Sequence, residues 1–192
     1  MSLRAGAGMM YEGMLSLQLL PVAGLPSPNQ LVVINEANDV LLNNLMLLEE
    51  KHEIDDHDEI MQELRRQDTK IRMLMELLSM LLLQNQLLPA ASLVRFSGTE
   101  LSVPAAGLTH PAGSKVQCSL YIDTALPKPL VLFAESQGKH LEASGDGETA
   151  TTPWLDFTLT GLSLPVQDNM EKLIFRHHRK IVALQRRQTA TV

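Results

Sequence analysis

Residues 29–88 contain neither glycine nor proline, and this block limits what the chain can fold into more than any other feature. It opens after Ser27-Pro28-Asn29 and stops at Pro89, which are start and stop signals of a helix. Unbroken, it would run about 85–90 Å at roughly 1.5 Å per residue. The rest of the chain is too small to bury such a rod. It must therefore fold back as a hairpin or pair with other chains.

The spacing of apolar residues separates these two outcomes. One line runs Ile54, Met61, Asp68, Met75 and Leu82, and the other runs His57, Leu64, Ile71 and Leu78. Together they make a heptad seam. The spacing continues through "EEKHEIDDHDE", where no glycine or proline marks a turn. An oligomeric coiled coil is expected, with an antiparallel hairpin as the alternative. The seam lacks the β-branched-then-Leu order typical of parallel dimers, which favours a homotetramer over a dimer. Asp68 and His57 are polar members that cost stability and help set register. Burial disfavours imidazolium, so His57 should weaken the assembly in acid. In the first half, Val33, Val40 and Leu47 continue the seven-residue spacing, while Leu41, Leu45 and Leu48 form a second stripe. A helix with two apolar stripes touches two surfaces, here partner helices and its own globular part.

The flanks have a different character. Residues 1–28 hold one strand, roughly Met10 to Val22, closed by Pro26 and Pro28. Residues 92–164 alternate in "SLVRFSGTELSV", "SKVQCSLYID", "KPLVLFAESQ" and "WLDFTLTGL", separated by Gly/Pro-rich turns. This is the pattern of a small antiparallel barrel or sandwich. Residues 166–189 read as a second helix, with Asp168 or Asn169 as N-cap and Met170, Leu173, Ile174, Val182 and Leu184 as apolar contacts. Its basic residues include Arg176, Arg179 and Lys180, candidates for a partner surface. The chain thus divides into a first-strand region at 1–28, a coiled-coil insertion at 29–88 and the rest of the barrel with its basic helix at 89–192.

The chemistry is sparse. The net charge of -6 gives no reason to expect nucleic acid. The single cysteine, Cys118, precludes an internal disulfide and sits in an alternating strand as a small buried side chain. Short, Pro/Gly-ended "MLSLQLLPVAG" reads as a strand and not as a membrane span or leader, so a cytoplasmic location without membrane insertion is expected. His52 and His57 are five residues apart and do not share a helix face, so no metal site is expected. No nucleophile–base set and no Gly-rich phosphate loop occurs, so neither a catalytic residue nor a cofactor is expected.

Strand, long helical block, several strands and closing basic helix: without the block, this order resembles a PilZ domain. "SGTELSV" followed by "PAGSKVQCSLYI" is similar to the family's early turn and strands, and "WLDFTLTGLSLPVQDNMEKLIFRHHRKI" to its ending. The resemblance implies an α+β fold, a small antiparallel β-barrel with a C-terminal helix; it does not cover the long heptad-repeat helix, which would be an insertion after the first strand. It also implies two places where ligand-binding members hold cyclic di-GMP: R-x-x-x-R before the barrel and D/N-x-S-x-x-G on an early strand. "DFTLTG", with Asp156, Thr158 and Gly161, matches the second spelling but lies where the last strand is expected. In the right position stands "RFSGTE", which keeps Ser97 but has Arg95 and Glu100 where Asp/Asn and Gly belong. "RAGAG" offers Arg4 without its partner arginine. The expectation is an oligomeric, non-enzymatic adaptor in bacterial signalling, pilus or motility control, with a protein partner and no cyclic di-GMP. The alternative is a cyclic di-GMP receptor with a divergent pocket built on Arg4, Arg95 and Ser97.

Overall fold

The computed structural model describes residues 9–49, 63–64, 66–71, 73–74, 77–78, 88–123, 128–143 and 151–189. Six strands form a closed antiparallel barrel: β1 (Tyr11–Pro21), β2 (Ala91–Phe96), β3 (Glu100–Pro104), β4 (Lys115–Tyr121), β5 (Leu130–Ala143) and β6 (Thr151–Thr160). Two labelled helices accompany them, α1 (Pro28–Glu49) and α2 (Leu164–Thr189). The described residues between 63 and 78 are helical as well. The strand order is β1-β2-β3-β6-β5-β4. β1 closes the ring because its first half pairs with β2 and its second half with β4, the change falling at Ser16.

Period-two alternation turns one set of side chains inward. Val94, Phe96, Leu101, Val103, Val116, Cys118, Leu120, Leu132, Leu155 and Phe157 fill the barrel and are almost fully buried. Burial pushes the Cys118 thiol up to about 12, since nothing in the core compensates a thiolate. At neutral pH this sulfur is a packing atom. The "DFTLTG" segment forms the end of β6, where Phe157 and Leu159 point inward and Gly161 leaves the strand at a φ of 74°. Asp156 points outward, accepting a hydrogen bond from Ser102 Oγ at 2.6 Å, with His140 Nδ1 2.6 Å from its other oxygen.

α1 begins with a capping box. Ser27 Oγ accepts from the Gln30 amide, and Gln30 Oε1 accepts from the Ser27 amide, with Pro28 in the first turn. Its buried stripe is Asn35, Asn38, Leu41, Leu42, Leu45 and Met46. The two asparagines fasten the helix to the barrel. Asn38 Nδ2 donates to the Val131 carbonyl at 2.7 Å, and its Oδ1 accepts from the Val131 amide at 3.0 Å. β6 pairs with β5 only from Phe133 onward, so this side chain substitutes for the strand that ends there. Asn35 does the same for the Gly161 carbonyl and the Ser163 amide.

α2 starts at Leu164, earlier than Asp168 or Asn169 as cap would allow. Ser163 stands at the cap position, its carbonyl accepting from the Gln167 amide, and Pro165 suits a first turn that needs no amide donor. Asn169 is instead buried against α1, donating to Asp39 at 2.7 Å. Met170, Leu173 and Ile174 are buried as expected, but Leu184 is 58% exposed because α2 has run past the barrel by then.

Candidate functional site

α2 crosses the β2–β3 turn, and the start of β1 lies beside it. Between them opens a cleft of about 770 Å³. The turn, residues 97–99, is held rigidly. Ser97 Oγ accepts from the Thr99 and Glu100 amides, and the Ser97 amide donates to the Glu100 carbonyl at 2.8 Å. The Thr99 carbonyl accepts from the Leu159 amide, tying the turn to β6. Gly98 is buried, and a Cβ there would stand 3.5 Å from Glu171 Oε1, so α2 closes over the turn.

The cleft has an apolar floor and an acidic rim. Met9, Met10, Ile174 and Phe175 supply the apolar part. Glu100, Asp168 and Glu171 supply three carboxylates against one ammonium, that of Lys172. Lys172 Nζ donates to Asn169 Oδ1 at 3.2 Å. None of the three carboxylates has an ion-pair or hydrogen-bond partner among the described residues.

Arg95 does not face this cleft. It lies on the outer surface of β2, where its Nε donates to Glu12 at 2.9 Å and its guanidinium stacks over Trp154 at 4.1 Å. Both contacts occupy the planar fork that phosphate recognition would need. Ser97 lines the cleft, with its hydroxyl engaged in the turn. Arg4 lies outside the described residues. Only Ser97, of the expected ligand set, is therefore placed at the cleft. The basic residues of α2 split by role. Arg176 Nη1 donates to the Met46 carbonyl at 2.9 Å near the end of α1, while Arg179 and Lys180 are exposed, Arg179 lying 5.9 Å over Phe175.

Of the seam residues, Ile54, His57, Met61, Met75 and Leu82 lie outside the described residues. The described ones share one property: Leu64, Asp68, Ile71 and Leu78 are all exposed, the three apolar ones by more than half. Val33, Val40 and Leu47, which continue the same spacing onto α1, are also more than half exposed. The described residues hold no cluster of three or more His, Cys, Asp or Glu able to bind a metal ion, and no described helix is long and apolar enough to cross a membrane. His52 lies outside the described residues too.

The acidic cleft was not foreseen from sequence. Its parts come from three distant segments, at residues 9–10, 97–100 and 168–175. The one local signal was Asp168, Glu171 and Phe175 on a single face of α2, at three- and four-residue spacing.

Comparison with known proteins places this geometry among relatives. A family model described as "Atypical PilZ domain, cyclic di-GMP receptor" matches residues 40–187. No curated protein matches. One similar solved structure is the crystal structure of a pathogenic protein from Xanthomonas campestris, described as a new tetrameric PilZ domain self-assembled via an unusual helical bundle. It is 23% identical, covers 92% of this chain and 91% of that one, and superposes with a TM-score of 0.65. At that identity the likeness carries the fold.

Proposed function

The chain belongs to the atypical PilZ domain family, and on that premise we propose that it is an oligomeric, non-enzymatic adaptor of bacterial signalling that does not itself bind cyclic di-GMP. The observation that carries this is the charge of the cleft. Glu100, Asp168 and Glu171, none with a partner among the described residues, line the cleft beside "RFSGTE", the segment that stands at the family's second ligand motif. A dianionic ligand entering there meets repulsion from each of them, while Arg95 is already paired with Glu12 and Trp154.

The assembly half of the proposal rests on the exposed heptad line. Solvent-facing Val33, Val40 and Leu47 on one line, and Leu64, Ile71 and Leu78 on the other, recur at seven-residue spacing, the pattern that partner helices cover in a coiled coil. The helical block, residues 29–88, is thus a coiled-coil insertion between the first strand region, 1–28, and the remainder of the barrel, 89–192. Ile54, His57, Met61, Asp68, Met75 and Leu82 complete its seam. Four copies are favoured over two, and gathering several barrels raises avidity for a protein partner without a tight single contact. Arg179 and Lys180, both exposed, remain candidate partner contacts, and Arg176 donates to the end of α1. The setting is cytoplasmic, in type IV pilus, motility or cyclic di-GMP-related control.

One observation favours a second reading: the matching family model is described as a receptor. In that reading Arg4, Arg95 and Ser97 build a divergent pocket. Titration calorimetry with cyclic di-GMP decides between them. The adaptor reading expects no heat of binding. Micromolar binding abolished by Arg95→Ala would establish the receptor.

A further inference from the structure

An adaptor needs a surface that chooses its partner, and the cleft under α2 has the features of one. Its floor is apolar, formed by Met10, Ile174 and Phe175, and Phe175 remains 51% exposed although it is a large aromatic side chain. A single exposed aromatic is ordinary, but one at the wall of a cleft of about 770 Å³ lies in a space of ligand size. The rim is net acidic: three carboxylates stand against the one ammonium of Lys172, which donates to Asn169 Oδ1 at 3.2 Å. Glu100 from β3 and Asp168 and Glu171 from α2 converge from two elements, and none is neutralised within the described residues.

We propose that this cleft is a docking site for a cationic, apolar-anchored peptide segment of a partner protein. The inference rests on the adaptor reading above and adds the chemistry of the partner. The anchor side chain fills the floor against Phe175 and Ile174, and flanking lysine or arginine residues meet the three carboxylates. Charge complementarity selects this occupant: an acidic segment or a phosphate ligand would bring like charge to the rim, and a purely apolar segment would leave the carboxylates facing an uncompensated surface.

The test uses the full chain and a fluorescein-labelled peptide alternating arginine and leucine, with a glutamate–leucine peptide as comparison. Fluorescence anisotropy should show binding of the cationic peptide only. The Asp168→Asn/Glu171→Gln double variant should weaken it about tenfold, and Phe175→Ala by a similar factor. Glu63→Gln, an equal-sign charge change in the helical block, should leave it unaltered. Equal binding of the two peptides, or cationic binding indifferent to the cleft variants, overturns the assignment. Adding cyclic di-GMP separates this inference from the reading beneath it. Displacement of a peptide that remains sensitive to the cleft variants would overturn the ligand-blind adaptor while supporting the cleft as its docking site. Absence of displacement with cleft-independent binding would do the reverse.

Discussion

Asn38 shows how much a single polar side chain holds in this molecule. It is 2% exposed and satisfies both the amide and the carbonyl of Val131 at the point where β6 no longer covers β5. Removing it leaves two part-buried backbone groups without their side-chain partner and loosens α1 from the barrel. Asn38→Ala should therefore lower the unfolding free energy by about 2–3 kcal/mol, read from urea denaturation. Asn38→Asp should also destabilise, because it keeps the acceptor but loses the donor to the carbonyl. A loss within about 0.5 kcal/mol for either variant would mean that water takes over the role and that packing alone docks the helix. Cys118 illustrates the opposite case, a side chain with reactive chemistry that burial has made inert.

Among the elements, the strands were readable because each half-buried segment alternates, as in "SKVQCSLYID", and because Gly/Pro turns separate them. The start of α1 was readable for an equally local reason, its Ser27-Pro28 signal. α2 starts before Asp168 and Asn169, although both have the composition of caps, because tertiary contacts recruit Asn169 to α1 and leave Asp168 on the rim of the cleft. Leu184 was misjudged because periodicity reports a helix face without saying how far the neighbouring surface extends. The acidic cleft was illegible for a deeper reason: its walls meet only when β1, the β2–β3 turn and α2 are brought together. The two-stripe reading of α1 has a structural counterpart on one side, where Leu41 and Leu45 are buried against the fold while Val33, Val40 and Leu47 face outward. That outward line yields an element-level prediction. Ile71→Asp should reduce the molar mass of the particle without altering the barrel's far-UV or near-UV circular dichroism, because the residue is 55% exposed within one chain. A barrel that unfolds with it would show that the helical block packs on its own chain.

For the whole molecule, the account joins two arrangements. On the adaptor reading, a closed barrel with an acidic cleft would supply specificity, and an exposed heptad line would supply multiplicity. On that reading neither needs catalysis, and the acidic lining of the cleft disfavours a dianionic ligand there. The measurement that tests this most directly is molar mass by light scattering, with and without cyclic di-GMP, and with dinucleotide occupancy read on the same samples. The account predicts a mass near four chains that does not change, with no dinucleotide retained. A mass of one chain, or dinucleotide retained in proportion to protein, would contradict it.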